Sequence, residues 1–371
     1  MTAKNYQLPE AGLPETVNAG AVGRRTFMRT GAAGLVGAAL ANSLPQRAGA
    51  EQTEAKTPLV LVRCENATDD AGVGKPSLVR DMVHRAVREL SGKDSVADAW
   101  REFVSPNDIV GLKVNVRGGK HLSTQLCTVD AIVEGLKAAG VKENNILVWD
   151  AWNKEFPHAG YTLNESSAGV RCYGVDRGVA DRRRRGDGAQ IRQALKQHFD
   201  TEPVTLGGKP VWLAKILTEE ITALVNVPII KDHNYAGVTL SMKNHYGCIL
   251  NPSDLHDDHC DPYIAELNLL PVIKDKTRLI LLDALRGIYD GGPHLRPGGR
   301  FRHNTIIAGT DTVAVDALGL RIIEEKRKEA GLQPIVDSAK HIATAAKLGL
   351  GTNDFAKIDL KEIELSSENK A

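Results

Sequence analysis

The stretch IVGLKVNVRGGKHLSTQLCTVDAIVEGLKAAGVKENNILVWD, residues 109–150, reads as one strand–helix–strand unit. Ile109 to Val116 is an apolar run of strand length. Val129, Ile132, Val133 and Leu136 recur at helical spacing, Gly140 stops that helix, and Ile146 to Trp149 is a second short apolar run. Two strands joined through a helix of this length pair in parallel by a right-handed crossover. The alternation continues in both directions. Upstream, Leu59 to Val62 reads as a strand, and Val79, Met82, Val83, Ala86, Val87 and Leu90 mark the apolar face of a helix. Downstream, a weakly periodic connection from Tyr161 to about Gly208 holds one short strand, Val170 to Val175. Strands follow at Ala223 to Ile230, Arg278 to Leu282 and Thr305 to Ala308, with helices at Asp261 to Lys274, interrupted by Pro271, and at Thr312 to Ala330. Ser338 to Leu348 adds a helix and Ile358 to Leu365 an alternating edge strand. The pattern predicts an α/β fold: a mostly parallel, Rossmann-like sheet or sheets with helices on both faces, forming two α/β halves around a central cleft.

The other 371-residue bounds are compositional. A formal net charge of +1 gives no broad field for nucleic acid or an acidic membrane. The basic cluster Arg182 to Arg185, flanked by Asp181 and Asp187, reads as a solvated loop. Near the start, Gly23-Arg24-Arg25-Thr26-Phe27-Met28-Arg29 precedes a Gly/Ala-rich apolar run from Gly31 to Leu44, and Ala48-Gly49-Ala50 supplies a small-residue cleavage pattern. The apolar run is about half of what a spanning helix needs. Residues 1–50 therefore resemble a cleaved twin-arginine translocation signal, which implies the twin-arginine export machinery as a partner and a periplasmic or secreted product. Residues 51–371 form the α/β part, with its core over 59–330. No later run is apolar enough for a stable membrane anchor. Cys64, Cys127, Cys172, Cys248 and Cys260 contain no C-x-x-C pair, so no local iron–sulfur motif is present.

Several groups could carry chemistry. Asp150 and Asp283 each end an apolar strand, where ligands collect in open parallel sheets; each could equally cap the element that follows. Asp176 ends a weaker strand, and Asp311 reads as a helix cap. Lys113 and Asn115 close the strand before Gly118 and Gly119, and Ser123 and Thr124 open the next helix, an arrangement suited to an anion or to plain capping. The densest constellation is Lys231, His233, Lys243, Asn244 and His245, in an apolar segment punctuated by glycine. Imidazole and desolvated ammonium groups both titrate near neutrality, so they suit proton transfer or anion handling. Next come His256, Asp257, Asp258, His259 and Cys260, the ligand types of a divalent transition metal, with His256 and His259 the candidate ligands. The Gly- and Arg-rich connection from Arg286 to Asn304 has the make-up either of a loop that closes over an anion or of a solvated, flexible one.

The segment VPIIKDHNYAGVTLSMKNHYG, residues 227–247, resembles the signature of the domain-of-unknown-function 362 family, with support from GLKVNV at 111–116, the Ser123-Thr124 pair, Asp150, and LLDA at 281–284. Some members carry a ferredoxin-like cysteine module, which this chain lacks. A more distant likeness is to the nickel-pincer lactate racemases, in which a histidine and a lysine ten positions later flank a glycine-containing turn, as His233 and Lys243 do here. That likeness implies that His233 handles a proton or touches a metal and that Lys243 binds cofactor or substrate. The expectation is an exported enzyme with Lys231, His233, Lys243 and Asp150 catalytic, and with Lys113, Asn115, Ser123, Thr124, Asn244 and Asp283 holding a small anionic or metal-containing ligand. The alternative is a periplasmic binding protein for a metal, cofactor or anion.

Overall fold

The computed structural model describes residues 55–177, 195–294 and 296–366, all within the compact unit Glu54–Ala371. The export segment expected over 1–50 and the Arg182 to Arg185 cluster lie outside the described residues. One ten-stranded sheet organises the unit. Its main path runs β12 (Ile358–Glu364), β1 (Thr57–Arg63), β11 (Arg300–Gly309), β10 (Thr277–Ile288), β7 (Ala223–Val227), β2 (Val110–Val114), β3 (Ile146–Asp150), β4 (Arg171–Gly174). A branch, β8 (Ile229–His233), continues β7 beyond Pro228 and pairs with β10 and with the two-residue β9 (Gly237–Val238). β5 (Val204–Leu206) and β6 (Lys209–Val211) form a separate antiparallel pair.

The parallel unit read from residues 109–150 is present, with Val110 to Lys113 paired to Ile146 to Trp149. Both expected halves share this one sheet, and two details differ from the simple alternation. β1 does not neighbour β2; it pairs antiparallel with β11 and parallel with β12. β10 and β11 also run on past their expected ends, as an antiparallel pair in which Arg286 faces Arg302. The long connection expected over Arg286 to Asn304 thereby shrinks to the segment between Ile288 and Arg300.

Alternation along the strands feeds two cores. Leu59, Leu61, Leu147 and Trp149 pack on one face, and Val60, Val62, Ile146 and Val148 on the other. Helices Pro76–Ser91 and Leu126–Ala138 cover the second face; Tyr263–Leu269, Thr312–Glu329 and Lys340–Lys347 cover the first. Pro76 sits at the first position of its helix, where a missing N–H costs nothing, and Gly92 ends it at φ 69°. Asp311 caps Thr312–Glu329 by accepting from the Val313 and Ala314 amides, as expected. Pro271 splits the helix expected over Asp261 to Lys274 into Tyr263–Leu269 and Pro271–Lys274. Among the described residues no helix is long and apolar enough to cross a membrane, and all five cysteines are buried and free.

Candidate functional site

From β2 the chain runs outward to β3 and β4, whereas from the adjacent β7 it continues the other way to β10. Such a reversal leaves a crevice beyond the carboxyl ends of the strands. Here the ends of β2, β3 and β8, with the short helix Leu240–Asn244, enclose a cavity of about 530 Å³.

Its floor is an ion pair. Lys113, fully buried, donates from Nζ to Asp150 Oδ1 at 2.7 Å and to the Val114 carbonyl at 2.8 Å. The Asp150 carboxylate also accepts from the Val116 and Ala151 amides, at 2.9 and 2.8 Å. Gly247 lies against this pair, and a Cβ there would overlap Asp150 Oδ1 and stand 2.8 Å from Lys113 Nζ. Asn244 ties floor to wall. Its amide donates to the Lys113 carbonyl and to Asn226 Oδ1, and its Oδ1 accepts from Asn115 Nδ2. Asn115 Oδ1 in turn accepts from Lys231 Nζ at 2.9 Å.

The walls carry two further buried cations. Lys231 donates to Asn115 and to the Arg117 carbonyl; Lys243 donates to His256 Nε2 at 3.3 Å and lies 3.9 Å from the Tyr246 ring centre. All their hydrogen-bond partners among the described residues are uncharged. Burial accordingly pushes both lysines down from 10.5 to about 8, the desolvation of an unpaired ammonium. Arg117 and Glu155 also line the cavity; with Asp150 paired to Lys113, the three cations Arg117, Lys231 and Lys243 outnumber Glu155, so the field inside favours an anion.

The ring nitrogens of the two wall histidines are assigned by their partners. His233 Nδ1 accepts the Tyr235 and Ala236 amides, so its proton sits on Nε2 and the ring offers the cavity a donor. His256 Nδ1 donates to the Pro252 carbonyl at 2.7 Å, which leaves a lone pair on Nε2, the atom facing Lys243. Burial first, then the neighbouring Lys243, holds both histidines below their ordinary range, so both are neutral. The helix bearing Lys243 is capped from outside: Asp316 accepts from the Ser241 and Met242 amides. Asp232 accepts the Gly291 and Gly292 amides, which fixes the loop bringing Pro293 and His294 to the rim.

Of the expected site residues, Asn115, Asp150, Lys231, His233, Lys243, Asn244 and His256 line the cavity, and Lys113 lies directly beneath it. The other four are placed elsewhere. Ser123 donates to the Gly119 carbonyl, and Thr124 donates to the Val227 carbonyl while accepting the Asn115 amide; both brace the loop after β2 and are not part of the wall. Nor do they cap the following helix, whose N-cap position is Gln125. Asp283 is fully buried and accepts from Gln125 N and Thr128 Oγ1, holding that helix against β10. His259 donates to the Tyr235 carbonyl and latches the β8–β9 turn.

Among the described residues no three His, Cys, Asp or Glu side chains converge as metal ligands. His233 is also a poor ligand as held, because its cavity-facing nitrogen carries the proton. The His256 Nε2 lone pair faces Lys243 Nζ at 3.3 Å. His294, from the loop expected over Arg286 to Asn304, reaches the rim; Arg117, Glu155, Tyr235, Thr239 and Tyr246 also line the cavity and were not singled out from the sequence. The two tyrosines lie inside the 227–247 motif, and Arg117 follows the β2 end, which is the signal that could have found them.

An open, mostly parallel α/β sheet with a cation-rich cavity at its switch point defines the class of protein. Residues 110–321, more than half of the chain, match the model of the family described as domain of unknown function (DUF362), and the chain belongs to that family. A comparison with curated proteins gave no match. Among solved structures, a structural-genomics crystal structure of a Thermotoga maritima protein is similar at 12% identity and a TM-score of 0.33, over 74% of this chain and 59% of that one. The present chain thus spans under two thirds of that protein, and a likeness so distant carries no argument.

Proposed function

We propose that the cavity binds a small organic anion and moves a proton on it. The observation that carries this reading is the pair Lys231 and Lys243: two buried ammonium groups facing one cavity with no carboxylate partner. Unpaired buried cations oppose folding, and a bound anion supplies the missing charge. Lys231 and Arg117 hold the anionic group. The neutral His233 donates from Nε2 to a developing oxyanion, and Lys243 with His256 forms the acid–base pair. Asp150 positions Lys113 and the floor. On the export pattern at Arg24 and Arg25 we place this activity outside the cytoplasm.

Titration calorimetry with oxalate and other small carboxylates tests binding. The proposal expects saturable binding that is lost in Lys231→Met. Equal binding in wild type and Lys231→Met would remove the anion site from this cavity. Binding without turnover of any carboxylate substrate, at any pH, would instead favour a carrier.

A further inference from the structure

We propose that Lys243 is an amine nucleophile that forms an imine with a small carbonyl-bearing acid, a 2-oxo acid being the simplest ligand of that class. The inference rests on the anion-binding reading above and adds a covalent role to one wall.

The two lysines differ in their partners. Lys231 donates to two oxygen acceptors, Asn115 Oδ1 and the Arg117 carbonyl, which stabilise the ammonium form. Lys243 has one hydrogen-bond partner among the described residues, and that partner is a base, His256 Nε2. The Pro252 carbonyl locks His256 in the tautomer that leaves Nε2 able to take a proton. Lys243 is also held in place, since its helix is clamped by Asp316 and its Nζ lies over Tyr246. A buried amine beside a neutral base, in a cavity with a separate cation for the carboxylate, is the arrangement that amine catalysis requires. Lys243, pushed down to about 8, also holds a substantial free-amine fraction in mildly alkaline solution.

The step balances without an oxidant or a reductant. The Nζ lone pair attacks the carbonyl carbon, and the carbon–oxygen π pair moves onto oxygen, where the His233 Nε2–H stabilises it. An Nζ proton passes to His256 Nε2 and is returned to that oxygen. The nitrogen lone pair then forms the C=N bond as the carbon–oxygen bond breaks, and the hydroxyl takes one further proton, delivered from solvent through His256, to leave as water while the nitrogen keeps its remaining proton. The product iminium withdraws electrons from the adjacent carbon, which is how proton transfer at that carbon would be eased.

The experiment uses the full chain with pyruvate as the probe and sodium cyanoborohydride to reduce any imine. Intact mass and peptide mapping should find one reduced adduct per chain, on Lys243, with a labelling rate that rises through about pH 8. Lys243→Arg, which keeps the charge, should lose the adduct, and His256→Gln should slow labelling about a hundredfold, the low end of general acid–base effects. Circular dichroism confirms that each variant is folded. Labelling spread over surface lysines, or undiminished in Lys243→Arg, overturns the proposal. Oxalate, which offers two carboxylates and no ketone, separates the two readings. If oxalate binds and pyruvate is not trapped on Lys243, the imine fails and the anion site stands; if neither binds, both fail.

Discussion

Replacing Lys243 by methionine should make the protein more stable at neutral pH, which is the reverse of what loss of a buried, hydrogen-bonded side chain normally does. Lys243 is only 6% exposed, and burial lowers it from 10.5 to about 8. A fall of that size corresponds to about 3 kcal/mol by which the folded state disfavours the ammonium relative to the unfolded chain. Methionine keeps the volume and removes the charge. Against this stands the loss of the contact with Tyr246, about 1 kcal/mol, so the net gain is about 2 kcal/mol. For a chain of this size that is a rise in Tm of about 3 °C. The pH dependence is the sharper test. Below pH 8 the lysine is charged in both states and the folded state carries the full penalty. Between about 8 and 10.5 the folded protein releases the proton while the unfolded chain still holds it, so wild-type stability climbs with pH and the advantage of Lys243→Met shrinks. Thermal melts at pH 7 and pH 10 read both quantities. A variant that melts below wild type at pH 7, with a gap unchanged at pH 10, would refute the view that this ammonium is held against stability.

Other perturbations separate floor from wall. Asp150→Asn leaves Lys113 buried beside neutral groups, and chemical denaturation should show a loss of about 3–5 kcal/mol, which Lys113→Met in the same chain should largely restore. Gly247→Ala drives a methyl group between Asp150 and Lys113; we expect a loss of about 1–3 kcal/mol and weaker oxalate binding, measured by melting and calorimetry. For the imidazole donor, His233→Gln should retain part of the turnover because its amide still offers an N–H, whereas His233→Ala should cost about a hundredfold in kcat, as loss of an oxyanion donor does. Cell fractionation of chains carrying Arg24→Lys with Arg25→Lys should find the protein held in the cytoplasm; unaltered export would remove the twin-arginine reading of residues 1–50.

The parallel centre of the sheet is legible in the sequence because its strands are buried on both faces, which writes them as mostly apolar runs at 109–116, 146–149 and 223–230, broken only by Lys113, Asn115 and Asn226. Neighbour order is not written there. Nothing in Leu59 to Val62 says that its partners are β11 and β12 from the far end of the chain. The extensions of β10 and β11 are hidden for a different reason: Arg286, Arg300 and Arg302 suggest a solvated loop, yet Arg286 is buried and the others alternate outward along a paired strand. In the site, residue type alone misleads at Ser123, Thr124 and Asp283. Hydroxyls and carboxylates at strand ends and helix starts serve backbone amides as readily as ligands, and here the amides and carbonyls of Asn115, Val227 and Gln125 claim them. Lys231, His233 and Lys243 are legible because an apolar context leaves a cation or imidazole few uncharged alternatives.

That so much of the cavity comes from residues 227–247 follows from how β8 ends. The His233 ring accepts the two amides that begin the next turn, β9 pairs back on Asp232 and His233, and the chain is then delivered to Asp316, whose carboxylate starts the helix carrying Lys243 and Asn244. The ten-residue spacing between His233 and Lys243 is thus the length of one strand end, one tight return and one helical turn. Asn244, one step on, faces the floor and links to Lys113 and Asn115 from β2. A single local fold therefore sets the imidazole donor, the buried amine and the tie to the neighbouring strand. The Lys113–Asp150 pair completes that cavity from outside the motif, and of the three buried lysines Lys113, Lys231 and Lys243 only Lys113 has a counter-ion among the described residues. Charge compensation falls on the floor, where rigidity is needed, and is withheld from the two lysines that face an incoming anion.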